Sequence, residues 1–114
     1  MKFTTSIKKN HEFRRLYSKG KSVASQYIVI YAKHNNQPSN RIGITVSKKV
    51  GGAVQRNRVR RRLKEIYRLN EDKLNTGYDI VFVARVNSRY AKYRELENSV
   101  LSLCKKLKIF SSNT

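Results

Sequence analysis

The sequence predicts a single α+β domain, one sheet packed against three helices. Three observations carry this. Apolar residues recur at the 3.6-residue period in three separated stretches, and β-branched or aromatic runs with period-two alternation lie between them. The chain of 114 residues is near the usual size of one domain, without repeats or a long linker, so residues 1–114 are read as one unit whose last four, Ser111 to Thr114, fray.

The first helix is expected over Asn10 to Lys19, where Phe13, Leu16 and Tyr17 fall at i, i+3 and i+4, with Asn10 placed to cap its start and Gly20 to end it. Tyr27 to Ala32 then reads as a strand, alternating Tyr27, Val29 and Tyr31 against Ile28, Ile30 and Ala32, with both faces partly covered. The polar stretch His34 to Asn40 holds the only proline and reads as a hairpin loop into the strand Arg41 to Ser47. There Ile42, Ile44 and Val46 share one face. Gly43, Thr45 and Ser47 share the other, whose lack of bulk lets another backbone or a base approach closely.

After Gly51-Gly52 the period changes. Val59, Leu63, Ile66 and Tyr67 form the apolar stripe of a second helix, predicted over about Ala53 to about Leu69. A strand over Tyr78 to Arg85 follows a turn at Asn75-Thr76-Gly77, and a third helix presents Leu96, Val100, Leu103, Cys104 and Leu107. Cys104, the only cysteine, is read as a small core residue.

Composition narrows the function. Twenty-six Lys plus Arg against 7 Asp plus Glu give a net charge of +19, which repels itself unless a polyanion is near. Seven tyrosines and 4 phenylalanines favour single-stranded nucleic acid, whose bases stack on rings. No apolar run approaches the ~20 residues that span a bilayer, and Met1 to Thr5 does not resemble a signal peptide, so a cytoplasmic protein without a membrane partner is expected. The lone cysteine with His11 and His34 makes no zinc set. The seven acids, Glu12, Glu65, Glu71, Asp72, Asp79, Glu95 and Glu97, offer no pair spaced for magnesium beyond Glu71-Asp72, which reads as a helix-end turn. No catalytic residue, and no cofactor bound tightly by the protein alone, is expected.

The functional signal is concentrated between Lys48 and Arg68, where nine basic residues and one acid, Glu65, occupy 21 positions. On a helical wheel Asn57, Arg60, Arg61, Lys64 and Arg68 lie away from the apolar stripe. A merely solvated face interleaves signs, whereas Arg56, Arg60 and Lys64 stack like charges at i, i+4. Arginine's planar fork suits phosphate oxygens. A DNA-reading or membrane-lying helix fits less well: the stripe is needed to cover the sheet, and DNA reading leaves the aromatic strand unexplained.

The run Ser47-Lys48-Lys49-Val50-Gly51-Gly52-Ala53-Val54-Gln55-Arg56-Asn57-Arg58-Val59-Arg60-Arg61 closely resembles the signature of the bacterial ribonuclease P protein family. Lys8-Lys9-Asn10, Phe13, Gly20, Ser22, the Tyr27 to Tyr31 strand and Ala84-Arg85 also fall where that family's pattern places them. Gly52 departs from a more typical Asn or Lys, and Arg60 from a frequent Lys.

The resemblance implies an α-β sandwich of the ribosomal protein S5 domain 2-like type, with three helices, about four strands and a left-handed βαβ crossover through the second helix. The fourth strand would come from splitting Lys21 to Lys33 or from extending the His34 loop. It further implies a protein cofactor to a ribozyme, partnered by the catalytic ribonuclease P RNA and precursor tRNA, with magnesium held mainly by RNA. Arg56, Asn57, Arg58, Arg60 and Arg61 match positions facing the catalytic RNA, with Lys48, Lys49, Lys64 and Arg68 on the same surface. Phe13, Tyr17 and Tyr31 match a cleft holding the 5′ leader of precursor tRNA, where Lys33 and Arg41 would add phosphate contacts. Phe13 and Tyr17 share a helix face with Leu16, and Phe13 is equally consistent with core packing, whereas the hydroxyls of Tyr17 and Tyr31 need water or a partner and suit a partly open groove better than a dry core. Sulfate or phosphate is expected to bind the basic surface and to support folding against self-repulsion. A ribosomal protein or RNA chaperone would share this charge but has no need of a single-strand cleft.

Overall fold

The computed structural model describes residues 4–110. Its elements in chain order are β1 (Thr4–Ser6), α1 (Asn10–Lys19), β2 (Lys21–Ala24), β3 (Ile28–His34), β4 (Asn40–Thr45), α2 (Ala53–Asn70), β5 (Tyr78–Ala84) and α3 (Tyr93–Lys106). Short 3₁₀ turns at Lys48–Val50, Glu71–Lys73 and Val86–Tyr90 join them. The strands form one mixed sheet in the order β1-β4-β5-β3-β2. β5 runs parallel to β4 and antiparallel to β3, so β4, α2 and β5 make a βαβ crossover between adjacent strands.

The three helices form where the periodicity places them. The strands differ from expectation in three ways. The Lys21 to Lys33 stretch does split, at Ser25-Gln26-Tyr27, and supplies the fourth strand as β2. A fifth, β1, pairs parallel with β4 through three polar residues that carry no alternation signal. The stretch before β4 is not a hairpin loop, because β5 lies between β3 and β4, and the connection crosses two inter-strand spacings, roughly 10 Å. The most apolar strand takes that central place because Ile80, Val81 and Phe82 are all buried and need cover on both sides of the sheet.

Asn10 is the first residue of α1 rather than its cap, a place taken by Lys9 without a side-chain hydrogen bond. Gly20 ends the helix in extended backbone, and its lack of a side chain matters for space. A Cβ there would lie 2.7 Å from the Leu16 carbonyl oxygen and 3.2 Å from that of Ala32. The expected fraying of Ser111 to Thr114 lies outside the described residues.

The sheet buries a core on each face. On one, Ile28, Ile30, Ile42, Ile80 and Phe82 meet Val59, Leu63, Ile66 and Tyr67 of α2 and Leu96, Val100, Leu103 and Cys104 of α3. Burial pushes the Cys104 thiol pKa up to about 12, in keeping with an inert core residue. On the other face a smaller cluster of Ile7, Leu16 and Val81 is bordered by Phe13, Tyr31 and Val83.

Tyr67 shows how α2 is locked to the sheet. Its ring packs edge-on to Phe82 at 6.1 Å, and its hydroxyl lies 2.7 Å from Thr4 Oγ1 and 3.3 Å from Asn40 Nδ2. Asn40, itself buried, also donates to the Asn75 carbonyl at 3.0 Å and accepts from the Tyr78 N–H at 2.9 Å. A buried polar group left without partners is costly, so this network selects one seating for α2.

Candidate nucleic-acid interface

With Val59, Leu63, Ile66 and Tyr67 turned into the core, α2 leaves Asn57, Arg58, Arg60, Arg61, Lys64 and Arg68 exposed as one ridge. Arg56 is half-buried, and its Nε is buried without a hydrogen-bond partner. Arg60 donates to Asn57 Oδ1 at 3.4 Å. Arg68 is the exception in charge: it pairs with Glu65 one turn earlier, its Nε 3.2 Å from Oε2, and this hydrogen bond draws the Glu65 pKa down. Arg56, Arg58, Arg60, Arg61 and Lys64 have no acidic partner among the described residues.

Arg62, which the sequence reading passed over, belongs to the structure rather than the ridge. It donates to the Ala91 carbonyl at 3.1 Å and ties α2 to the chain entering α3.

Lys48 and Lys49 reach the same surface from the 3₁₀ turn before α2, where Val50 is buried and both lysines are exposed. Gly51 makes this turn possible, with φ at 155° and a Cβ position only 3.0 Å from Gln55 Cβ. Gly52 occupies the cap of α2 and offers no side-chain hydrogen bond, and its carbonyl accepts the Arg56 N–H at 2.9 Å.

Phe13, Tyr17 and Tyr31 gather on the opposite face of the sheet. Phe13 of α1 lies over Gly43: a Cβ at that glycine would be 2.5 Å from Phe13 Cε1. The close approach expected of the Gly43 face is thus made by a side chain of the same protein. Tyr17 and Tyr31 meet edge to face at 5.0 Å, and the Tyr17 and Thr45 hydroxyls are 3.2 Å apart. Asn10, Phe13, Arg14, Tyr17 and Thr45 line an open groove of about 480 Å³. Phe13 therefore serves both readings, seated against the small core and lining the groove, while Tyr17 is 40% exposed. Arg14 was not singled out from the sequence, and Thr45 was read only as part of the low-bulk face. Arg14 follows Phe13 in the chain, and Thr45 shares the low-bulk face of β4, which was the available signal.

Lys33 and Arg41 stand apart from this groove. They line a separate polar pocket of about 350 Å³ with His11, Glu12, Arg15 and Asp79. Arg41 is engaged within the protein: Nε lies 2.8 Å from Asp79 Oδ1, one terminal nitrogen 2.6 Å from Oδ2, and the other pairs with Glu12. These contacts clamp α1 to β4 and β5 and raise the Arg41 pKa above its ordinary value, led by the Asp79 hydrogen bonds.

Burial works against charge on Asp79, yet hydrogen bonds from Arg41 and Asn35 and the nearby Lys33 outweigh it and hold the carboxyl pKa below normal. A group with a depressed folded pKa stabilises the fold above its unfolded value of about 3.9, and that contribution disappears as pH falls through the folded value. Asp79→Asn is therefore expected to flatten the loss of melting temperature below about pH 4, relative to the unsubstituted protein. Identical acid profiles would show that the clamp does not contribute.

The whole described fold has counterparts among known proteins. A family model described as Ribonuclease P matches residues 1–108. A ribonuclease P protein component from Alkaliphilus metalliredigens is 50% identical over 111 residues, covering 97% of this chain and 100% of that protein. One from Clostridioides difficile is 50% identical over 107 residues, covering 93% and 94%. Among solved structures, the Staphylococcus aureus RNase P protein superposes with a TM-score of 0.85 at 36% identity, covering 93% of this chain and 97% of that one. The Thermotoga maritima RNase P protein does so with a TM-score of 0.81 at 28% identity, covering 89% and 96%.

Proposed function

Because this chain belongs to the ribonuclease P protein family, a family of protein components of ribonuclease P that serves tRNA processing, we propose a division of labour between its two surfaces. The ridge of α2, with Lys48 and Lys49, binds the catalytic RNA; the groove of Phe13, Tyr17 and Tyr31 holds the single-stranded 5′ leader of precursor tRNA. The supporting observation is the state of α2, whose apolar side is locked in the core while Arg58, Arg60, Arg61 and Lys64 stand exposed without acidic partners. Such a ridge repels itself until phosphates neutralise it, and guanidinium groups hold phosphate oxygens through paired, charge-assisted hydrogen bonds.

The groove complements the ridge chemically. Rings accept a base on their faces whatever its identity, which suits a leader of variable sequence. From Thr45 at the groove the chain runs directly through Lys48 and Lys49 into α2, so phosphates meet cations between the two surfaces. Lys33 contributes to a leader only beyond the groove, and Arg41 acts through its clamp on α1.

Endonucleolytic removal of the leader, in this reading, is carried out by the RNA, with magnesium neutralising charge at the scissile phosphate. Glu12 and Asp79, which the fold brings together, are both engaged by Arg41, and no group of three metal-ligating side chains occurs among the described residues. No helix among those residues is long and apolar enough to cross a membrane.

Adding this protein to bacterial ribonuclease P RNA at low magnesium is expected to restore cleavage of a precursor tRNA. Tyr17→Ala should weaken affinity for leader-bearing precursor by about tenfold and leave mature tRNA unaffected. No stimulation by the unsubstituted protein would reduce the reading to a basic RNA-binding domain, and cleavage by the protein without RNA would overturn the assignment of chemistry.

A further inference from the structure

We propose that Tyr90, backed by Arg89, is a stacking platform for one unpaired base of the RNA subunit, a contact separate from both the α2 ridge and the leader groove. This rests on the reading above that α2 docks on that RNA.

Tyr90 is the tyrosine that the fold leaves most open. Tyr67 is buried, Tyr78 lies against the His34 ring at 4.4 Å, Tyr17 and Tyr31 pack on each other, and Tyr27 donates to Glu95. Tyr90 is 72% exposed, and its one ring contact among the described residues is the Arg89 guanidinium, 5.0 Å from the ring centroid. An arginine covers one face of a ring through its positive charge and leaves the other to water.

The pair is held rigidly, and it is held beside the basic surface. It ends the 3₁₀ turn Val86–Tyr90, in which the Ser88 N–H donates to the Arg85 carbonyl at 2.9 Å and Ser88 is buried. The next residue, Ala91, is buried and accepts the Arg62 hydrogen bond from α2. On its other side Arg89 borders the turn that carries Lys48 and Lys49, since a Cβ on Gly51 would lie 3.5 Å from a terminal nitrogen of Arg89. Tyr90 is thus fixed relative to α2, with Arg89 on its ring and the turn that carries Lys48 and Lys49 beside Arg89.

A rigid, half-covered ring among cations matches an unpaired nucleotide: the base stacks on the open face, and its phosphate lies within reach of Arg89 or the lysines. A protein partner would have to supply both an apolar contact and several acids to the same small area. The position beside α2, across the sheet from the groove, assigns the base to the RNA subunit rather than to the leader.

The test compares equilibrium binding of bacterial ribonuclease P RNA to the full-length protein and to Tyr90→Phe, Tyr90→Leu and Tyr90→Ala, together with chemical probing of unpaired nucleotides in each complex at saturating protein. Tyr90→Phe should bind within about twofold of the unsubstituted protein, and the Leu and Ala variants about tenfold more weakly. One unpaired nucleotide should be protected by the unsubstituted protein and by Tyr90→Phe, and exposed again with Tyr90→Ala. So exposed a side chain leaves melting temperature unchanged, which checks that the variants fold. Equal binding by all four proteins, full affinity in Tyr90→Leu, or weaker binding without any newly reactive nucleotide would overturn the platform. In each of those cases a loss of affinity in Arg58→Ala would leave the α2 reading standing. If the unsubstituted protein does not bind the RNA at all, both readings fall together.

Discussion

Replacing Arg58, Arg60 and Arg61 together by alanine is expected to weaken binding of ribonuclease P RNA by about 100-fold or more while the free protein keeps or slightly gains stability. The two halves of this expectation have separate physical origins. Each guanidinium that grips a phosphate makes a charge-assisted hydrogen bond worth roughly 1.5–3 kcal/mol, and about 1.4 kcal/mol is a factor of ten in affinity. Three such losses, even if far from additive, exceed two decades.

Stability moves the other way. The three side chains are exposed and have no acidic partner among the described residues, so in the free protein they contribute repulsion. Alanine is also the best helix former. Titrations at several salt concentrations check the mechanism. Each lost phosphate contact should reduce the slope of log affinity against log salt by about one. An unchanged affinity and slope would mean that the ridge is only a solvated face. Arg62→Ala is the informative control, because Arg62 bonds to the Ala91 carbonyl and its loss acts on the fold.

Gly43→Val is expected to destabilise the protein by about 1–3 kcal/mol and to abolish preferential binding of leader-bearing precursor. The new Cβ would sit 2.5 Å from Phe13 Cε1 and 2.7 Å from Cζ, with a Val81 methyl group 3.5 Å away, so the ring has to leave its seat. Phe13 belongs to the short helix α1, and moving it disturbs both the small core around Leu16 and the groove between Phe13 and Tyr17.

The double variant Gly43→Val with Phe13→Ala separates the two effects. Removing the ring relieves the clash, and the two substitutions should couple strongly because the residues are in contact. Stability measured by urea unfolding is then partly restored, while leader affinity is not. Full stability and full leader selectivity in Gly43→Val would show that Phe13 is not seated on Gly43.

Much of the candidate site was legible before any coordinates. The bounds of α2, its buried stripe and its cationic ridge all follow from residues within 18 consecutive positions, as does the signature shared with the family. Tyr17 and Tyr31 also fall together as that resemblance implies. Arg41 illustrates the opposite case. In the sequence it is a cation beside a loop, available to phosphate; in the fold Glu12 and Asp79, 29 and 38 residues distant, converge on it and commit it to holding α1. Tyr90 is similar, since nothing in the run Val86 to Tyr90 indicates that its neighbour Arg89 borders Gly51 and the turn before α2.

The sequence by itself thus determined the three helices, the strands with clear alternation, the charge and the exposed cationic side of α2. These depend on local periodicity, which a helix or strand expresses whatever it packs against. Only the tertiary structure decided that β5 separates β3 from β4, that three polar residues form β1, which cations stay exposed and which are consumed by acids, and that Phe13 rests on Gly43. Each of those outcomes is a pairing between residues distant in the chain, and such pairings are selected by the packing of the whole core, for which a linear pattern carries no register.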